Sequence, residues 1–152
     1  MTDPKDPTPI TIERSIEIER DPDACWSAVR ALEGLLVAPG VFDGVTTERH
    51  DDGRIEQHVR LGEGVHFRAR LESLDDERRV VRGRMVEGVG VPWTDYRSTV
   101  TVEAAGETAS RIVVRLDCVP LPDTGDTVAA MLRDSLDLGL AEAKRRIEAA
   151  DD

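Results

Sequence analysis

Three histidines, His50, His58 and His66, are the residues whose type first suggests metal or proton-transfer chemistry. A zinc site needs three or four convergent nitrogen, sulfur or carboxylate ligands. His58 and His66 fall on two strands joined by the turn Gly62-Glu63-Gly64. Antiparallel pairing about Glu63 sets His58 opposite Arg68 and His66 opposite Arg60. Both imidazoles then share an outer sheet face with guanidinium groups, poor surroundings for a cation, and no metal is expected. Ser98 has no histidine on its strand face, which argues against a Ser-His-Asp hydrolase. Asp51, Asp52, Asp75, Asp76 and Glu77 cluster in turns, and no two carboxylates point inward together for acid–base work. Cys25 and Cys118 show no CxxC spacing and read as buried reduced thiols. Neither GxGxxG nor GxxxxGK[ST] occurs, so no nucleotide cofactor is expected.

What remains are polar groups on otherwise apolar strand faces. Gln57, Tyr96 and Ser98 have the placement to orient a small molecule by hydrogen bonding, or to close an internal hydrogen bond. Arg14 stands on the apolar face of the first strand, between Ile12 and Ile16. It is expected to be a partly exposed, snorkelling side chain at the strand's entry. Buried in a cavity, the same guanidinium would hold an acidic head group.

These residues are carried by elements with clear sequence signals. Residues 1–9 read as a disordered tail. Residues 10–19 alternate as a strand with Ile10, Ile12, Ile16 and Ile18 on one face. Asp21-Pro22-Asp23 is a helix start: N-cap, proline at the first position, and an acid at the positive end of the dipole. Cys25, Val29, Leu32 and Leu36 follow at helical spacing, and Ala38-Pro39-Gly40 ends that region. Six strands come next, separated by short turns: 41–49, 55–61, 65–71, 79–87, 96–102 and 112–118. Short turns imply a consecutive antiparallel meander, with Arg60, Arg68, Arg70, Glu72, Arg97 and Arg115 on its outer face. Residues 127–149 form a long helix with a buried stripe of Val128, Leu132, Leu136, Gly139, Leu140, Ala143 and Ile147. It is the element long enough to cover the sheet's apolar face.

The 152 residues suit one domain with a substantial core. A net charge of −11 opposes affinity for nucleic acid. The N-terminus lacks the apolar centre of a secretory signal and no stretch reaches membrane-span length, so a cytoplasmic protein without integral membrane association is expected. Nothing chooses between monomer and homodimer.

The element order, the opening IERSIEIERDPDACW and the closing helix resemble the SRPBCC superfamily, with its START domains, the birch-pollen allergen and the polyketide cyclase/dehydrase and lipid-transport proteins. The resemblance spans residues 10–149. It implies an α+β helix-grip fold: a curved antiparallel sheet of about seven strands wrapped around the C-terminal helix, with one or two short helices after the first strand. It also implies a cavity between sheet and helix for a hydrophobic or amphipathic molecule. On the inner faces the expected lining is Gln57, Phe67, Met85, Tyr96, Ser98, Val100, Val114 and Leu116. Trp93 stands beside it, and Met131, Leu132, Ser135 and Leu136 face it from the helix. The turns at 62–64, 88–92 and 120–125 are expected at one end of the sheet, where such loops gate the cavity in ligand-binding relatives. Three functions follow from the resemblance. The leading one is binding or transport of a lipid- or polyketide-like molecule without turnover. The others are a polyketide cyclase or dehydratase, and a protein-interaction module with a vestigial cavity. Aromatic residues make up 3 % of the chain, which favours an aliphatic ligand or a small cavity.

Overall fold

The start of the first helix is built as its sequence demands. Asp21 is the N-cap, its carboxylate accepting from the Ala24 N–H at 3.2 Å, and Pro22 occupies the first helical position where no N–H is needed. The computed structural model describes residues 8–31 and 44–149. Within them, β1 (Ile10–Ile18) leads into α1 (Pro22–Arg30), which buries Cys25, Trp26 and Val29. The strands β2 (Gly44–Arg49), β3 (Ile55–Gly62), β4 (Val65–Asp75), β5 (Val80–Val89), β6 (Trp93–Ala104) and β7 (Ser110–Pro120) follow, and α2 (Gly125–Ala149) closes the chain. The expected Leu32 and Leu36, the stop at residues 38–40, the first residues of the second strand with Phe42, and residues 1–7 lie outside the described residues.

The strands form one antiparallel sheet in the order β1-β7-β6-β5-β4-β3-β2. The meander is as expected, and β1 adds to its far end by pairing with β7, from Ile10 opposite Cys118 to Ile18 opposite Ser110. With the long C-terminal helix and the short helix after β1, this is the helix-grip fold. The helix α2 starts two residues before the expected Thr127 and buries the whole expected stripe, together with Ala129 and Ser135. It packs most closely on β1 and next on β7. Near its C-terminus, Lys144 donates to the Glu17 carbonyl at 2.9 Å and Glu148 accepts the Glu19 N–H at 2.8 Å, clamping helix to strand end. Between them lie Ile12, Ile18, Val100, Val102, Ile112, Val114, Leu116, Val128, Leu132 and Leu140, all buried. Full burial of each such side chain is worth about 1.5–3 kcal/mol.

Two expectations need correction. Met131 is half-buried against the core's edge and does not line the cavity, and Leu132 is wholly consumed in core packing. A helix presents a narrow arc inward, and Ser135 and Leu136 occupy the part of it over the cavity. The outer sheet face is also less uniformly exposed than alternation implies. Glu56 points outward, yet is only 3 % exposed, because His50, Arg68 and Arg70 close over it.

Candidate functional site

Four residues that alternation places inward on β3, β4 and β6, Gln57, Phe67, Tyr96 and Ser98, meet Leu116 of β7 and Ser135 and Leu136 of α2 around an interior cavity of about 50 Å³. Val59, Ala69 and Val114 complete the wall. A second void of about 40 Å³ shares Gln57, Ala69 and Ser98 and continues toward Gly83 and Val100. Gly83 helps to keep that space open: a Cβ there would stand 3.6 Å from the Ser98 hydroxyl and 3.3 Å from the Arg70 carbonyl oxygen. With about 10–15 Å³ needed per water, the first cavity of about 50 Å³ has room for about three to five waters. It is well below the roughly 300–1,000 Å³ of pockets for drug-sized ligands.

The cavity's polarity comes from hydroxyls. Among the described residues, the hydroxyls of Tyr96, Ser98 and Ser135 have no hydrogen-bond partner, although Ser135 is buried. Gln57 is partnered. Among the described residues, no carboxylate, imidazole or cation lines this first cavity, whereas Arg70 borders the second void. Burial pushes the Tyr96 phenol pKa well above its ordinary value, with Cys118 adding to the effect, so the hydroxyl stays protonated and able to donate. Cys118, its cross-strand partner, is driven up to about 12 by burial and by Asp95. Neither group is a base at neutral pH.

At one end of the cavity stand three of the chain's aromatic residues. Trp93 stacks on Tyr96 with ring centres 5.1 Å apart, and Phe67 meets Trp93 edge-on at 5.8 Å and Tyr96 at 5.4 Å. The Trp93 indole N–H donates to the Met85 sulfur at 3.3 Å. Met85 and Trp93 therefore adjoin the cavity through Phe67 and Tyr96 without lining it. Strict alternation from Tyr96 would turn Trp93 outward. A bulge at Thr94, where Trp93 pairs with Pro120 and Asp95 with Val119, turns it in. A second bulge at Val86 places Gly88 opposite Phe67.

The three connections expected at one end do meet there. A Cβ on Gly90 would lie 2.9 Å from the Gly64 carbonyl oxygen, and Leu121 donates its N–H to the Pro92 carbonyl at 2.9 Å. Gly90 also has φ of 71°, a backbone conformation that favours glycine.

Arg14 is half-exposed and ion-pairs with Asp137 of α2 at 3.2 Å, so it closes the gap between β1 and the helix away from the cavity. His58 and Arg68 are cross-strand partners, as are Arg60 and His66. His58 also reaches Glu48 at 3.0 Å, a contact invisible to alternation because it depends on β2. Although burial works to raise it, hydrogen bonds from His50 and Arg70 and the charge of Arg68 hold the Glu56 carboxyl below its ordinary range. Among the described residues, no three His, Cys, Asp or Glu side chains gather in a way that would hold a metal ion, and no helix is long and apolar enough to cross a membrane.

Comparison with solved structures places this arrangement among known folds. The aromatase/cyclase Zhui from Streptomyces sp. R1128 superposes with a TM-score of 0.70 at 18% identity, covering 93% of this chain and 98% of its own. Norcoclaurine synthase from Thalictrum flavum, in complex with dopamine and hydroxybenzaldehyde, gives 0.72 at 19% identity over 98% and 92%. A START superfamily protein from Mycobacterium smegmatis gives 0.70 at 19% identity over 91% and 97%. At such identities the likeness is one of fold. No curated protein matches the sequence. The family model described as polyketide cyclase / dehydrase and lipid transport matches residues 9–148, nearly the whole chain, and the protein belongs to that family.

Proposed function

We propose that the protein binds a small, uncharged amphipathic molecule, a ring or short chain bearing a hydroxyl or carbonyl, in the cavity between sheet and α2, and holds it unchanged. The observation that carries this reading is the set of unpartnered hydroxyls of Tyr96, Ser98 and Ser135 around an interior void that no charged group lines among the described residues. Such hydroxyls exchange hydrogen bonds with a ligand at little net loss and exclude one with a buried charge. A ligand of more than a few non-hydrogen atoms, a single aromatic ring included, needs sheet and helix to part, since the void of about 50 Å³ holds a few waters. A lipid-length one needs them to part further. A cyclase or dehydratase needs a group that takes up a proton as well as one that gives it. Among the described residues the cavity supplies a donor, Tyr96, and no base. A solved relative of the same fold in complex with dopamine and hydroxybenzaldehyde supports a small hydroxylated ring as the ligand class.

The test is an amide chemical-shift titration at mildly acidic pH with p-hydroxybenzaldehyde, whose phenol is then neutral, and, separately, decanol, followed by mass analysis of the recovered probe. Saturable shifts at Tyr96, Ser98 and Ser135 with the aldehyde, recovered intact, are expected. Shifts confined to other residues would remove the site. A converted probe would replace binding by catalysis.

A further inference from the structure

A second concavity lies on the other face of the sheet. Across β2, β3, β4 and β5 a groove of about 410 Å³ runs along the backbones of Val45, Val59, Phe67 and Gly88, whose alternation sends their own side chains to the interior. Its two walls are the neighbouring outward residues. One wall carries His58, Arg68 and Glu87; the other carries Arg60, His66 and Val89.

The charges along this groove are not all matched. Arg68 Nη2 pairs with Glu87 at 3.1 Å, and His58 with Glu48 at 3.0 Å. Arg60 and His66, cross-strand partners on one wall, have no ion pair or hydrogen bond among the described residues. Across the groove, Arg68 Nε is buried with no hydrogen-bond partner, a carboxylate oxygen of Glu56 standing 3.9 Å away. A desolvated guanidinium N–H without an acceptor is costly unless something fills that role. Opposite Arg60 on β2 stands Gly44, where a Cβ would lie 4.0 Å from Arg60 Nη2, so the guanidinium keeps open space beside it. The exposed Val89 adds an apolar edge.

We infer that this groove is a second binding site, separate from the interior cavity, and that it takes the carboxylate or phosphate group of a small organic anion between Arg60 and Arg68. A planar guanidinium offers paired N–H donors that match either oxyanion, and a charge of −11 over the whole chain makes an unpaired arginine in a concavity unusual. The site requires nothing of the interior, so its failure or success leaves the proposed interior ligand untouched.

The test uses the full chain at constant ionic strength, titrated separately with inorganic phosphate and with hexanoate, read by amide shifts. Saturable shifts at residues 58–60, 66–68 and 87–89 are expected with at least one probe, and which probe responds identifies the oxyanion. Arg60→Gln should weaken that affinity by about tenfold or more, while Arg82→Gln, an exposed arginine on the same face outside the groove, should leave it unchanged. Gly44→Val, which keeps both arginines and fills the space beside Arg60, should also weaken it. No saturation with either probe, or equal affinity in the Arg60→Gln and parent proteins, overturns the inference.

Discussion

Ser135→Leu separates the two roles a buried serine can have. Ser135 is 3 % exposed, its hydroxyl is without a partner, and it faces a void of about 50 Å³. The substitution replaces that hydroxyl by three carbons. At about 0.8 kcal/mol per buried CH₂ their transfer is worth at most ~2.4 kcal/mol. A space shaped by waters is filled imperfectly, and cavity-filling changes commonly return about 0.5–2 kcal/mol. Leucine is also the better helix former by a few tenths of a kcal/mol. A net gain of about 1–2 kcal/mol follows, and a chain of this size gains roughly 2–4 °C in Tm per kcal/mol. The variant should therefore melt a few degrees higher, by differential scanning calorimetry, and should lose the shifts that p-hydroxybenzaldehyde induces at Tyr96 and Ser98. Ser135→Ala, which leaves the space open but removes one hydroxyl, should change Tm little and weaken binding several-fold without abolishing it. A fall in Tm on Ser135→Leu, as overpacking by about 1–3 kcal/mol would give, refutes the void. A higher Tm with undiminished probe binding refutes the void as the ligand site.

Tyr96→Phe should leave Tm within about 2 °C of the parent, because no protein hydrogen bond is lost, while affinity for the same aldehyde falls several-fold, the worth of one hydrogen bond at about 0.5–1.5 kcal/mol; a large loss of stability would show that the phenol is structural. Gly90→Ala should cost more than Gly53→Ala in urea unfolding. Both residues have positive φ, 71° and 92°, but a Cβ at Gly90 meets the Gly64 carbonyl at 2.9 Å and one at Gly53 meets nothing. The αL penalty of roughly 1–2 kcal/mol is common to both, so equal costs would deny the contact between the two turns. Stability should also decline on acidification. Glu142 is held at about 2 by Arg145 and Arg146, and Asp76, Glu148 and Glu56 are also lowered by their hydrogen-bonded cations. Groups lowered on folding bind protons more tightly when unfolded, so their stabilisation is full above the unfolded carboxylate pKa of about 4 and is lost as pH falls toward 2. A urea midpoint that stays level or rises between pH 5 and 2 would contradict this.

Much of the fold is legible because its signals are local. Asp21-Pro22 needs no tertiary context to start a helix, and a tight turn at Glu63 dictates that His58 faces Arg68 and Arg60 faces His66. The stripe Val128, Leu132, Leu136, Leu140 is a period of the helix itself. What sequence reading misses depends on a third dimension or on broken alternation. Glu56 has outward parity, and its burial comes from side chains of β4 and from His50 beyond the strand's end. Trp93 looks like a loop residue after Gly88-Val89-Gly90-Val91-Pro92, and the bulge at Thr94 that turns it inward leaves no residue-level mark. The cavity residues Gln57, Phe67, Tyr96, Ser98, Leu116, Ser135 and Leu136 are found by parity, but the cavity's size is a packing outcome. Met131 shows the limit from the other side: helical spacing alone does not say which inward residue meets space and which meets the core.

The two bulges also explain how one set of strands carries two unlike surfaces. Without the extra residue at Val86, alternation continuing from Met85 would turn Glu87 inward, setting a carboxylate against the aromatic cluster and leaving Arg68 without its partner. With it, Glu87 faces Arg68 outside and Gly88 faces inward, where a Cβ would already lie 2.8 Å from Val91 and 3.0 Å from the Met85 sulfur. Without the extra residue at Thr94, the indole of Trp93 would point to solvent and Tyr96 would lose its stacking partner. A slip of one residue exchanges the faces of everything beyond it. The neutral interior and the charged outer groove therefore share a cause. The bulge at Val86 lets a polar, arginine-rich stretch of sequence keep its charges on one side, and the two bulges together gather rings and small residues on the other.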